Sequence, residues 1–451
     1  MLADRNLAVL NEICDITYYI FTNHAGIEQL QLAPEIKLLS GYASLSINLI
    51  PNNLLLDNPI SVHHTIWNQA GQTAKSDGAF IMFVPPDVAW SNGSFEHVAG
   101  LLDAGKEMIF MTYLRAESTS FTEALLKQRK KSDIAIAVSG EKLVEICIHS
   151  LHPIMAASMR ESSYFPVHPE MMIWVVPHEG VLCRVLVREM FLYKPIDVSL
   201  NTVNLLETKL DLNKIHMVND SSDLFAVSLD PIHKDFDWYR WPRAPDPLTI
   251  GEWWLDYDSW INDYIVTTKI RWHYRPKTEL TWHAREQGAD LFLRRAAAVR
   301  EGRRLFSTAR MLSCSTVARI IAVALETGVL ARALRGRGGA IVFLPNDAAI
   351  LEYSSIIGER CLEPGNESEL CSLILRHFIP NALPNEPMCL LSQLSESPAL
   401  KVAMADRTYL QVSKNKFNLE LNGAKILAGP IRSGKNLVYV IDKTLGITAS
   451  V

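Results

Sequence analysis

The chain of 451 residues contains no stretch of 18 or more apolar residues, so no segment reads as a bilayer-spanning helix. It has little excess charge: 44 Lys and Arg stand against 49 Asp and Glu, a net charge of −5. That balance excludes the strongly basic footprint of a general nucleic-acid binder. Cysteines are few and scattered; Cys14, Cys147, Cys183, Cys314, Cys361, Cys371 and Cys389 include no CxxC pair. Neither a zinc ribbon nor a dithiol redox motif is expected. There is no Gly-x-Ser-x-Gly nucleophile elbow and no glycine-rich phosphate loop. Gly336-Arg-Gly-Gly339 and Ser433-Gly-Lys435 read as turns. The opening Met1-Leu-Ala-Asp-Arg-Asn-Leu lacks the basic and apolar regions of a secretory signal, which predicts a cytoplasmic protein with free thiols. Surface association would then require leaderless export.

What is present divides the chain. Residues 1–232 alternate strand-like and helix-like stretches, which predicts an α/β domain with a mainly parallel sheet. Thr17-Tyr-Tyr-Ile-Phe-Thr22 and Ser46-Ile-Asn-Leu-Ile50 read as strands, and Gly78-Ala-Phe-Ile-Met-Phe-Val84 as a strand covered on both faces. Met171–Val176 and Val181–Val187 flank Pro177-His-Glu-Gly180 and predict a hairpin, part of an antiparallel extension.

Residues 233–285 hold seven of the ten tryptophans, Trp238, Trp241, Trp253, Trp254, Trp260, Trp272 and Trp282, interleaved with aspartates. A long Ala/Arg/Leu helix over 286–306, beginning near Gly288, then connects to the region 307–447.

Two apolar runs in that last region close on polar turns: Ala340-Ile-Val-Phe-Leu-Pro-Asn-Asp-Ala-Ala-Ile350 and Asn436-Leu-Val-Tyr-Val-Ile-Asp-Lys-Thr-Leu445. Between them stands Leu373-Ile-Leu-Arg-His-Phe-Ile-Pro380. In this order the three segments resemble the hallmarks of the fasciclin (FAS1) domain. The resemblance implies an α+β fold, a β-rich wedge with helices, and a module for protein association. Its hallmark positions fall on Phe343, Pro345, Asn346, Asp347, His377, Val440 and Asp442. Asp347 is expected to cap the helix that begins at Ala348, and His377 to make a buried hydrogen bond.

The segment Ala79-Phe-Ile-Met-Phe-Val-Pro-Pro-Asp-Val-Ala-Trp-Ser-Asn-Gly-Ser resembles the central segment of GT-A glycosyltransferases, with a Rossmann-like sheet. That resemblance implies a nucleotide-sugar donor, a glycan acceptor, and Mg²⁺ or Mn²⁺ held by Asp87. Pro85 stands where that family has its first acid, so Asp87 is alone. Asp87 also fits a turn residue after a strand. Asp256 and Asp258 are candidates for a general base. Trp90, Trp253, Trp254 and Trp260 are candidates for stacking on sugar faces, with His168 and Glu170 at the edge of a cleft. The tryptophans equally fit anchors for an irregular segment. Two functions remain open: a metal-dependent transferase carrying a fasciclin module, or a non-catalytic scaffold in which both halves bind protein or carbohydrate.

Overall fold

The computed structural model describes residues 1–50, 59–130, 134–187, 190–195, 211–232, 240–254, 260–326, 328, 330, 334, 339–357, 365–380, 401–415 and 418–445. The chain forms two compact units, Met1–Pro245 with Tyr257–Ala289, and Asp246–Asp256 with Asp290–Val451.

In the first unit the strands are β1 (Thr17–Thr22), β2 (Ser44–Leu49), β3 (Ile81–Met82), β4 (Val88–Trp90), β5 (Met108–Phe110), β6 (Leu114–Glu117), β7 (Phe165–Pro166), β8 (Met171–Val176), β9 (Gly180–Val185), β10 (Met190–Tyr193), β11 (Ile215–Met217), β12 (Ala226–Asp230), β13 (Arg240–Trp241) and β14 (Ile270–His273). Among the described residues they make several small sheets in place of one parallel sheet. β1 and β2 pair in parallel by themselves; the orders β11-β5-β10-β3, β4-β12-β6 and β14-β9-β8 make the larger sheets. Within these, β10 runs antiparallel to both β5 and β3, and β12 is antiparallel to β4. The unit is mixed α/β, and the expectation of a mainly parallel sheet is corrected. Alternating elements reveal neither which strands pair nor in which direction. That is decided by long-range packing.

The predicted hairpin is present: β8 and β9 pair from Met171↔Val185 to Val176↔Gly180. Five of the six β8 residues and all of β9 are buried, as a near-continuous apolar run requires. Against this sheet packs the helix Gly140–His149 through Leu143, Val144 and Cys147. Gly140 permits the close approach that fixes this helix, because a Cβ there would lie 1.8 Å from the Ser221 carbonyl oxygen. A second core gathers Leu7, Leu10, Trp90, Phe95, Val98 and Phe191.

The stretch 78–84 departs from expectation. Only Ile81–Met82 is strand, Gly78 to Phe80 are exposed, and Ile81 to Val84 are half-buried.

In the second unit β15 (Ile341–Pro345), β16 (Phe378–Ile379), β17 (Lys401–Ala403), β18 (Tyr409–Asn415), β19 (Asn418–Leu421), β20 (Ala424–Ser433) and β21 (Asn436–Ile441) form one seven-stranded sheet, ordered β16-β15-β21-β20-β19-β18-β17. β15 is parallel to β21, and the remaining pairings are antiparallel. One face carries Ile341, Phe343, Leu410, Leu421, Tyr439 and Ile441; the other meets the helix Ser315–Glu326 through Val342, Leu344, Val438 and Val440. This alternation is the period-2 pattern of a strand sandwiched between two apolar layers.

The connecting helix is longer than read from sequence, Glu279–Met311. Its start is fixed by Glu179, whose Oε2 accepts the Thr278 N–H at 2.7 Å and the Trp282 Nε1–H at 2.8 Å. Gly288 lies inside it; a Cβ there would meet nothing within 4 Å. An exposed glycine costs a helix about 1 kcal/mol without ending it.

Candidate functional site

The second unit places its hallmark residues at the strand ends. β15 is central: its Phe343 N–H donates to the His377 carbonyl at 2.9 Å, and the Asn346 N–H donates to the Ile441 carbonyl at 2.9 Å. Asn346 Oδ1 then accepts the Ala349 N–H at 2.9 Å, capping the helix Asp347–Ile357. Asp347 therefore does not cap that helix, and the expectation is corrected. Its carboxylate accepts from Ser315 N, Ser315 Oγ and Thr316 N at 3.2, 2.7 and 2.9 Å, capping the helix Ser315–Glu326 from across the unit. Partial burial opposes the charge on Asp347, but these Ser315 and Thr316 bonds outweigh it and hold the carboxyl below its usual range.

His377 is 4% exposed. Its Nδ1 lies 2.7 Å from the Leu373 carbonyl, and its Nε2 accepts the Leu445 N–H at 3.0 Å. One neutral tautomer, protonated at Nδ1, satisfies both contacts. Burial lowers its pKa to about 4. Asp442 Oδ1 accepts the Lys425 N–H at 2.6 Å and joins β20 to the end of β21. Pro345 ends β15, and Val440 faces the helical layer.

In the first unit Asp87 is exposed; its Oδ2 accepts the Ser228 Oγ–H at 3.1 Å and its carbonyl accepts the Leu229 N–H at 2.8 Å. Among the described residues no group of three His, Cys, Asp or Glu comes together in a way that would hold a metal ion. Trp90 is 6% exposed inside the core, its ring 5.3 Å from Phe95 and 5.1 Å from Phe191 by centroids. His168 is exposed on the turn before β8, and Glu170 pairs with Arg115 at 3.2 Å. Arg115 also reaches Asp230 at 3.3 Å.

The tryptophan block is divided between the units. Trp253 and Trp254 belong to the second. Trp254 is buried there under the Arg300 guanidinium, 4.4 Å from its ring centre. Trp260 begins the helix Trp260–Thr267 of the first unit. Asp256 and Asp258 lie outside the described residues.

Sequence reasoning missed a polar knot in the first unit. His273 Nε2 stands 3.0 Å from Asp220 Oδ1 and 3.1 Å from Ser222 Oγ, while Nδ1 faces the Arg275 carbonyl at 3.1 Å. Lys277 Nζ bonds the other Asp220 oxygen at 2.5 Å, and Ser222 Oγ reaches Glu141 at 3.2 Å. Burial of Asp220 disfavours its charge, but the His273 and Lys277 bonds overcome this and hold its carboxyl well below the ordinary range. Serine, histidine and aspartate are the residue types of a hydrolytic triad, yet the geometry differs. Ser222 and Asp220 share one ring nitrogen, and the other is occupied by backbone. The buried Ser221 Oγ also accepts the His273 N–H at 3.0 Å and donates to the His273 carbonyl at 3.1 Å. The arrangement fastens the loop 219–223 to β14. The only hint in the sequence is the turn-rich Asn219-Asp-Ser-Ser-Asp223, which does not announce its partner fifty residues on.

Seven-stranded sheet, helical layer and strand-end turns together define an α+β domain of fasciclin type. The fasciclin domain family matches residues 314–447, and that region is a fasciclin domain. A solved structure similar to the chain is a FAS1 domain pair from the insect cell adhesion molecule Fasciclin I, 16% identical, covering 29% of this chain at a TM-score of 0.22. The match spans 45% of that structure, under half its length. No curated protein matches the chain. Among the described residues no helix is long and apolar enough to cross a membrane.

Proposed function

We propose that this is a non-catalytic binding protein whose fasciclin domain mediates adhesion-type association with a protein partner. The match over residues 314–447 carries this reading. It is supported by the use of Asp347, His377 and Asp442 inside the fold, where their polar atoms hold helix and strand ends. Such a domain offers an outer surface for recognition. In the first unit, among the described residues, Trp90 is internal and Asp87 accepts a hydroxyl of the neighbouring strand.

The finer alternative, a nucleotide-sugar transferase in the first unit, makes a distinct demand. A donor at 100 times its dissociation constant stabilises the protein that binds it by about 2.7 kcal/mol. Thermal unfolding of the full chain with a panel of nucleotide diphosphates and nucleotide sugars, with and without Mn²⁺, reads this directly. The expected result is no shift with any donor. A metal-dependent rise in Tm that disappears in Asp87→Ala overturns the non-catalytic reading. The association itself is checked by chemical crosslinking of the full chain in extracts of its source cells. Crosslinks to other proteins should concentrate within residues 314–447.

A further inference from the structure

The first unit contains a cavity of about 470 Å³ that nothing above uses. This volume lies in the range of small-molecule sites, about 300–1,000 Å³. Its walls are built from backbone edges as well as side chains. Residues 14–19 and 79–84 line it consecutively, which means that β1 and β3 present their edges to it, since a strand that presents a face contributes every second residue. The helix Pro59–Ser76 closes one side through Ile66, Ala70, Thr73 and Ala74, spaced as a single helical face.

The chemistry of the lining is one-sided. Six aromatic residues are in the lining: Tyr18, Tyr19, Phe21, Trp67, Phe80 and Phe83. Trp67 and Phe83 lie 5.1 Å apart between centroids, inclined at 52°, so they form two walls of a corner. Two lining residues are charged, Asp15 and Asp77, and both are acids at exposed positions. Among the described residues the lining includes no Lys, Arg or His. Aromatic faces attract cations through the ring quadrupole, and carboxylates at the mouth add to that field. One such contact already exists nearby, where Lys194 Nζ stands 5.9 Å from the centre of the Phe80 ring.

We infer that this cavity is a binding site for a small organic cation, an ammonium group carried on an apolar or aromatic body. The apolar walls take the body, the Trp67–Phe83 corner and neighbouring rings face the ammonium, and Asp15 and Asp77 discriminate against neutral and anionic molecules of equal size. Ligand class follows from the rim: an apolar cavity takes the body of all three molecules alike, while the two carboxylates attract a cationic head, repel an anionic one and leave a neutral one unaffected. The inference is independent of the fasciclin domain, which lies in the other compact unit.

The test uses one phenylbutyl body with three head groups: 4-phenylbutyltrimethylammonium, 4-phenylbutanol and 5-phenylpentanoate. Each is titrated calorimetrically into the full-length protein. The ammonium should bind roughly tenfold more tightly than the alcohol, and the carboxylate should bind most weakly. Exposed Asp15→Asn and Asp77→Asn, combined, should reduce the preference to about twofold or less, with the alcohol's affinity unchanged. Trp67→Ala should weaken all three ligands. Equal affinity for ammonium and alcohol overturns the proposal, as does absence of binding by all three. A preference that survives in the double asparagine variant also overturns it. Circular dichroism and the alcohol titration report whether each variant is folded.

Discussion

Phe-Val-Pro-Pro-Asp87 and Phe-Leu-Pro-Asn-Asp347 are near copies of one local pattern, an apolar run that ends on proline and then aspartate. Their structural fates diverge. The run before Asp347 is a five-residue strand, buried along its whole length, paired on both edges. The run before Asp87 yields two residues of half-buried strand, paired with β10 on one edge among the described residues. Asp347 collects three hydrogen bonds from a helix start, whereas Asp87 collects one from a serine hydroxyl. The motif is the same; its position in the sheet decides whether the acid becomes an internal fastening or a surface turn. A central strand end faces helix termini with unsatisfied N–H groups, and an edge strand faces solvent.

The most severe way to break this contrast is to truncate equivalent rings on the two runs. Phe343 is fully buried with its ring 5.9 Å from Tyr439, so Phe343→Ala should destabilise the second unit by about 3–5 kcal/mol. The equivalent Phe83 is half-buried against Trp67 and Tyr193, and Phe83→Ala should cost about 1–2 kcal/mol. Hydrogen exchange at amides of β15 and β21, compared with those of β10, separates the two effects. Similar losses would mean that both strands bear equal weight.

Protonation attacks the same centre more gently. His377 is held neutral by burial, with a folded pKa near 4 against an ordinary 6.5. Between these values the unfolded chain binds a proton that the folded chain refuses, so stability falls as pH drops through the window. The loss approaches about 3 kcal/mol at pH 4. Urea denaturation between pH 7 and pH 4 checks the slope. In His377→Gln, less stable at pH 7, the part of the slope owed to this residue should vanish.

These two effects also show what was legible in advance. Strands β15 and β21, with the turns after them, could be read because a central buried strand writes an unbroken apolar run, and because Asn346, His377 and Asp442 sit at fixed points of a resembled pattern. The hairpin β8–β9 was readable for the same reason, with a turn sequence between two such runs. Pairing direction in the first unit was not, since β10 and β11 meet β5 from remote parts of the chain. The burial of Trp90 was equally hidden: a tryptophan three residues past an aspartate reads the same whether its ring faces solvent or Phe191. The tryptophan block looked like one feature because it is continuous in sequence, yet residues 246–256 belong to the second unit and residues 257–289 to the first.

A smaller effect tests the helix fastening. Asp347→Ala removes three acceptor contacts from the start of Ser315–Glu326 and should cost about 1–2 kcal/mol, with exchange accelerated first at Ser315 and Thr316. Asp347→Asn, which keeps an acceptor oxygen, should recover part of that loss. If exchange accelerated instead at Ala349, the cap would belong to the helix Asp347–Ile357, and the difference drawn between Asn346 and Asp347 would fail.

The smallest expected effect is the sharpest on function. Asp87→Ala removes an exposed carboxylate and one bond to Ser228, so folding stability should change by no more than about 0.5 kcal/mol. A surface turn residue predicts that small number both without ligand and with any nucleotide sugar and Mn²⁺ present. A metal-holding residue predicts it only without ligand, because the donor's stabilisation would then depend on the carboxylate. Paired melting curves of wild type and Asp87→Ala therefore separate two roles that are identical in the unliganded protein. Coincident differences in both conditions place Asp87 with the turn residues, and its likeness to Asp347 ends at the sequence.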